Sequence, residues 1–221
     1  MKRWNIIQYL INVNNYKSYL ELGTDNGSCF EQINIKKKVC VDINDKYKGL
    51  SYHMSCDEFF AQNKDTFDII FIDANHEDEY VWRDIQNALQ ILNWNGVIVC
   101  HDCNPQKEEH TFINTGVYNG TVYKSIARLR LTNPYLYINT VDTDYGVGIL
   151  VKTNNIQQLP KFSCNSFIEF SNNRKEILNL ISEEQFKYIF SYKINEPLPT
   201  IIEKKQPCWL KRIFLKVNNY I

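Results

Sequence analysis

Two aspartates and two histidines carry the most chemical promise in this chain. Asp73 has His76 three residues on, and His101 runs directly into Asp102. An imidazole beside carboxylates can take a proton from a weak nucleophile near neutral pH, and the same side chains can ligate a divalent cation. Glu21, Asp42 and Asp57 join them if their elements converge. Glu21 precedes a glycine-bearing turn, Gly23-Thr24-Asp25-Asn26-Gly27-Ser28. Glycine lets a backbone approach a ligand where a Cβ would block it, which is what Gly23 and Gly27 offer. Asp42 lies nineteen positions after Gly23, the spacing at which a doubly wound fold sets a carboxylate against a ribose hydroxyl pair. The turn lacks the G-x-G-x-x-G of an ordinary dinucleotide site. Plainer readings exist too: His76 as a helix-entry side chain bonded to backbone, Asp57 as a first-turn acid favoured by the helix dipole.

The elements that must position these groups are legible as apolar runs. Residues 19–22 end at Gly23, 39–43 contain Asp42, 67–72 stop at Asp73, and 97–100 stop at His101. Helical spacing falls between them. Ile6, Ile7, Leu10 and Ile11 form a stripe expected to pack on the sheet edge. Phe30 and Ile33 suggest a first crossover helix whose free N–H groups, from about Ser28, face the turn. Ser55-Cys56-Asp57-Glu58 is a capping box, and Val81, Ile85, Ala88 and Leu92 mark a later helix. Strands alternating with helices indicate parallel βαβ units, whose ligands sit beyond the carboxyl ends of the strands. Glu21, Asp42, Asp57, Asp73, His76, His101 and Asp102 would then share one rim.

Residues 50–54 make a weaker strand, and Asn95-Gly96 reads as a chain break. The polar stretch 103–120 is long for a connection and resembles a lid or substrate loop. A helix over 121–131 carries Lys124, Arg128 and Arg130. Strands over 137–141 and 146–151 would add an antiparallel hairpin to the sheet edge. Helical patterns fill 167–190, with Ser182 and Gln185 as a second capping box. Prolines 197, 199 and 207 mark an irregular segment before the basic, aromatic tail 209–217.

Composition narrows the function class. The 221 residues are 44% apolar, enough for a globular core. Lys plus Arg equals Asp plus Glu at 25 each, so nothing favours nucleic-acid binding. No apolar run approaches the roughly 20 residues of a membrane span. Seven scattered cysteines and the absence of a leader pattern fit a reduced, cytoplasmic protein. Cys100 and Cys103 have C-x-x-C spacing without a second pair, which points to buried thiols.

The segments 21–27, 41–42, 55–60, 71–76, 84–89, 96–105, 119–124 and 141–148 together resemble the class I S-adenosylmethionine-dependent methyltransferases. More narrowly they are similar to a sugar and glycan O-methyltransferase group of the methyltransferase domain 24 kind, over roughly residues 18–190. The resemblance implies an α/β, Rossmann-like, doubly wound sheet of seven strands, mostly parallel, with an antiparallel edge pair. It implies a methyltransferase domain over 1–155 and a C-terminal helical extension over 156–221. Glu21, Gly23 and Gly27 would shape the methionine pocket, with Thr24 and Ser28 beside them. Asp42 and Ile43 would meet the ribose, Ser55, Cys56 and Asp57 would bracket the adenine, and Asp73 would touch the cofactor. His76 is the candidate general base, with Asp73, His101 and Asp102 completing the catalytic set. Some relatives hold a divalent cation, magnesium or manganese, at positions matching Asp73 and Asp102. Here His101 stands where several have a second carboxylate, which weakens a hard-cation site. The reaction expected is methyl transfer to a sugar or glycan hydroxyl. The same four side chains could instead build a metal-dependent hydrolase, or the fold could serve as a non-catalytic binding module.

Overall fold

Side chains of a strand alternate between faces, and the central runs of this chain are apolar on both faces apart from Glu21 and Asp68. They can lie only in a sheet covered on both sides. The computed structural model describes residues 1–113, 116–191 and 194. Its strands are β1 (Ser18–Leu22), β2 (Lys37–Asp42), β3 (Tyr52–His53), β4 (Phe67–Ile72), β5 (Leu92–Cys100), β6 (Leu136–Val141), β7 (Val147–Lys152) and β8 (Leu180–Ile181). Its helices are α1 (Arg3–Asn14), α2 (Cys56–Gln62), α3 (Asp78–Ile91), α4 (Val122–Thr132), α5 (Phe167–Leu178) and α6 (Glu183–Ile189). The sheet order is β3-β2-β1-β4-β5-β7-β6-β8, with β7 antiparallel to both its neighbours and the other pairings parallel.

Alternation divides the core in two. Leu20, Leu22, Ile70, Ile72 and Ile98 face Val81, Ile85 and Ala88 of α3 and Ile126 and Leu129 of α4. Tyr19, Ile69, Phe71, Val97 and Val99 face Ile6, Ile7, Leu10 and Ile11 of α1. The stripe on α1 therefore covers the sheet's central face, not its edge. Phe170 and Ile177 of α5 join the first core and Phe186 of α6 the second, so these two helices pack on the same sheet.

Four expectations are corrected. The sheet has eight strands, because β8 pairs with β6 through Thr140–Leu180 and Val141–Ile181 and covers the edge β6 would expose. The hairpin consequently lies inside the sheet, with β7 between β5 and β6. The first crossover is a 3₁₀ turn, Phe30–Gln32, not an α-helix. Lys38 Nζ donates to the Phe30 and Ile33 carbonyls at 2.9 and 3.2 Å and ends it there. Asn95-Gly96 does not break the chain but lies within β5, where the β4–β5 register shifts between Phe67 and Ile69. A Cβ at Gly96 would stand 2.7 Å from the Asp68 carbonyl oxygen, so glycine is needed for that close approach.

Both capping boxes form, with the Glu58 and Gln185 amides donating to Ser55 and Ser182 Oγ at 3.2 Å each. The six described cysteines are free thiols, and Cys103 donates to the Cys100 carbonyl at 3.3 Å. No helix among the described residues is long and apolar enough to cross a membrane. The prolines at 197, 199 and 207 and the tail 209–217 lie outside the described residues, as do positions 114–115 of the polar loop.

Candidate functional site

β1 and β4 are sheet neighbours at the point where the strand order reverses, and their carboxyl ends open onto two adjoining cavities. The first, about 300 Å³, is lined by Asp42, Ile43, Ser55, Cys56, Asp57 and Asp84, among others. The second, about 320 Å³, takes in Arg3, Glu21, Asp73, His76, His101 and Asp102. Gly23, Asp25, Asp73 and Ala74 belong to both walls.

Gly23 makes that shared wall possible. Its φ is +82°, and a Cβ there would lie 2.3 Å from the Asp73 carbonyl oxygen. Gly27 has the same φ but lines neither cavity; a Cβ would strike the Tyr47 ring at 2.4 Å, so its role is packing. Thr24 and Ser28 border the second cavity, with Thr24 buried. Because the first crossover is a 3₁₀ turn, no α-helix starts directly after the glycine turn.

Asp42 stands at the end of β2 with each carboxylate oxygen engaged once. The Asp25 amide donates to Oδ2 and the Asn44 amide to Oδ1, both at 2.7 Å. Each oxygen keeps acceptor capacity toward the first cavity. Asp57, at the start of α2, is half exposed and pairs with Arg83 at 2.7 Å, so much of its charge is committed at the cavity mouth.

Glu21 is fully buried. Tyr19 donates its hydroxyl to Oε2, whereas Oε1 has no hydrogen-bond partner among the described residues. Burial pushes its carboxyl up to about 8; the Tyr19 hydroxyl offsets part of this and the charge of Asp73 adds to it.

Asp73, His76, His101 and Asp102 come together in one cluster. His101 Nδ1 lies 3.2 Å from Asp73 Oδ1 and 3.1 Å from Asp102 Oδ2, bridging the two carboxylates. Its Nε2 meets the Asp144 carbonyl at 2.8 Å, and a carbonyl only accepts, so that nitrogen carries hydrogen as well. Burial alone would neutralise His101, but the Asp73 charge and bonds to Asp102 and Asp144 hold it well above the usual imidazole range. Asp73 shows the converse. Desolvation raises it, and His101, His76 and Arg3 more than reverse that.

His76 Nδ1 donates to the Tyr118 carbonyl at 3.0 Å, and the Tyr118 ring stacks on it with centroids 5.4 Å apart. The other nitrogen, Nε2, is left 3.5 Å from Asp73 Oδ1. Desolvation lowers the His76 pKa, yet Asp73 and Asp102 carry it above the ordinary value.

Four residues of this site are given no role by the sequence, although Asp84, Asn119 and Asp144 fall in segments that carry the family resemblance. Arg3, the first residue of α1, donates to Asp144 Oδ2 at 3.1 Å and lies 3.6 Å from Asp73 Oδ2; it stands 3.1 Å from His101 Nε2, which as an N–H does not accept from it. Asp144 comes from the β6–β7 turn. Asn119 donates to Oδ1 of Asp102 at 2.7 Å, and Asp102 itself has a φ of +59° that few non-glycine residues adopt. Asp84 looks from sequence like one more polar residue of α3.

Residues 36–103 match a family described as a methyltransferase domain, the group that the sequence resembles. No protein of curated function matches the chain by sequence. Among solved structures, a protein assigned as a caffeoyl-CoA O-methyltransferase from Staphylococcus aureus is 18% identical with a TM-score of 0.54, covering 67% of this chain and 82% of that one. An O-methyltransferase from Bacillus cereus in complex with SAH is 17% identical, TM-score 0.53, covering 68% and 80%. The O-methyltransferase TomG from Streptomyces achromogenes, involved in tomaymycin synthesis and bound to SAM, is 12% identical, TM-score 0.54, covering 69% and 80%. At these identities the likeness establishes the fold.

Proposed function

We propose that this chain, built on the class I methyltransferase fold and matching a methyltransferase domain at its centre, is an S-adenosylmethionine-dependent O-methyltransferase acting on a sugar or glycan hydroxyl. The observation that carries this reading is the pair of cavities joined across Gly23 and Asp73. One end offers a carboxylate for a ribose diol, Asp42. The other offers a buried, unpartnered acceptor, Glu21 Oε1, suited to an α-ammonium group. A glycine turn without a helix dipole also suits a ligand that lacks a pyrophosphate. S-adenosylmethionine, when bound, supplies a methyl group on a sulfonium that is already a good leaving group.

What remains for the protein is alignment and proton removal. A sugar hydroxyl is a poor nucleophile, and His76 Nε2 is the nitrogen free to accept its proton. The Tyr118 carbonyl fixes the tautomer that leaves it so. His101, clamped by Asp73, Asp102 and Asp144, keeps both carboxylates in place beside the base. Arg3 buttresses the same clamp from α1. The polar wall of the second cavity favours a hydroxylated acceptor.

A divalent cation in this cavity would have to draw its ligands from the same cluster. Asp73, His76 and Asp102 bring three possible ligand atoms within 4.8 Å of one another. The place between the two carboxylates, however, is taken by the His101 N–H, and Arg3 adds a second positive group 3.6 Å from Asp73 Oδ2. The cluster fits a protonated imidazole better than a hard dication, so its own side chains carry the proton chemistry. The test is transfer of a labelled methyl group to a panel of glycans and phenols. Transfer to a glycan supports the proposal, transfer to phenols alone rejects the acceptor class, and no binding of S-adenosylhomocysteine in calorimetry rejects the cofactor.

A further inference from the structure

We propose that the edge of the sheet opposite the two cavities, together with the basic, aromatic tail, docks on the surface of an anionic lipid bilayer. The inference is independent of the cofactor and acceptor readings above.

Strands β1, β2, β4, β5 and β6 run in one direction, so their amino ends share one edge. Lys17 precedes β1, Lys36 and Lys37 stand at the start of β2, and Lys64 precedes β4, all four exposed. Two acids stand among them, and both are engaged. Asp65 pairs with Lys37 at 2.7 Å. Asp68 accepts from the Lys17 and Ser18 amides at 2.8 and 3.1 Å and from Asn93 Nδ2 at 2.7 Å. Trp94, near the start of β5, and Tyr135, just before β6, are each 56% exposed at the same edge. A single exposed aromatic is ordinary, but an indole and a phenol beside lysines are the side chains that rest at headgroup level.

The chain also leaves the described residues here. α1 begins at the site with Arg3 and ends at this edge, where Tyr16 donates to the Asn95 carbonyl. The Ile194 amide donates to Asn14 Oδ1, on the last residue of α1, at 2.8 Å. Residues 195–221 follow, outside the described residues. From Lys204 onward they hold five cations and no acid. On the period of an α-helix, Trp209, Leu210, Ile213, Phe214 and Val217 fall on one side and Lys211, Arg212 and Lys216 on the other. That is the sequence pattern of an interfacial segment.

Stable attachment to a bilayer takes two signals, one apolar and one basic. The tail carries both, and the lysine edge enlarges the second. Lysine is a flexible point charge, which suits a fluid layer of phosphates and carboxylates better than the fixed geometry of a protein partner. The two cavities open at the other edge and stay in water.

The experiment is flotation of the full chain with vesicles of phosphatidylcholine, alone or mixed with phosphatidylserine, at low and high salt. The proteins are wild type, an edge variant, Lys36→Glu with Lys64→Glu, and a tail variant, Trp209→Ser with Phe214→Ser. Thermal unfolding checks that each is folded. Wild type is expected to bind the mixed vesicles about tenfold or more tightly than phosphatidylcholine alone, less so at high salt, and each variant to lose about tenfold or more. Equal binding to both vesicle types, or none to either, overturns the inference; the second is the result for a tail that docks on its own domain or on another protein. An edge variant that floats like wild type overturns the part of the sheet edge, and a tail variant that does so overturns the part of the tail. None of these results touches the proposed methyl transfer, whose residues lie at the opposite edge.

Discussion

Replacing His76 by alanine removes one imidazole nitrogen from the acceptor side and touches nothing in the nucleoside cavity. The lost proton transfer is worth about 10²- to 10⁴-fold in kcat, or about 3–5 kcal/mol of barrier. The lost hydrogen bond to Tyr118, with the stacked ring, costs about 1 kcal/mol of stability, too little to unfold the domain. S-adenosylhomocysteine affinity should stay within about threefold of wild type, because Asp42 and the Gly23 turn are undisturbed. The pH profile gives an independent check. A base works only when deprotonated, and Asp73 and Asp102 hold His76 above its ordinary value of 6.5. The rising limb of kcat/KM should therefore lie alkaline of that value and vanish in the variant. Steady-state kinetics across pH, with calorimetry alongside, read both. A variant whose cofactor affinity falls by the same factor as kcat, or that keeps kcat within tenfold, would show that His76 is only a helix-entry residue.

Asp42→Ala should weaken S-adenosylhomocysteine binding by about 10- to 100-fold, the worth of one charge-assisted hydrogen bond to the diol, measured by calorimetry. Glu21 is held protonated near pH 7 in the free protein, its carboxyl lying at about 8. An ammonium group set against Oε1 favours the carboxylate, so cofactor binding should release close to one proton, and Glu21→Gln should release none; titrations in buffers of different ionisation enthalpy report this. Gly23→Ala places a methyl 2.3 Å from the Asp73 carbonyl oxygen in a left-handed backbone. It should cost about 2–5 kcal/mol in urea unfolding. Chelator treatment should leave kcat within about twofold, since the His101 imidazole occupies the bridging position.

The fold was legible wherever an apolar run ended in a charged or glycine residue. Asp42, Asp73 and the His101-Asp102 pair announce strand ends because a core strand can carry such groups only where it leaves the core. Both capping boxes were readable for the same local reason, a serine and an acid or amide three apart. The first crossover misled because Phe30 and Ile33, three apart, suit a 3₁₀ turn as well as an α-helix. β8 is only two residues long, too short for any alternation to mark it. The roles of Arg3, Asn119 and Asp144 could not be read because they come from tertiary proximity, even though the last two fall in segments that carry the resemblance: α1 crosses the sheet face and brings Arg3 beside His101, 98 positions away. Asp84 sits beside Val81 and Ile85 at helical spacing, and only the packed helix reveals that its side chain borders a cavity.

A crystal structure with S-adenosylhomocysteine bound tests the central claim most directly. The account predicts one ligand crossing from the first cavity into the second, its ribose on Asp42, its ammonium on Glu21, and its sulfur beside the Gly23–Asp73 wall with His76 Nε2 facing the acceptor space. A ribose lodged away from Asp42, or a sulfur separated from His76 by the body of the sheet, would contradict it.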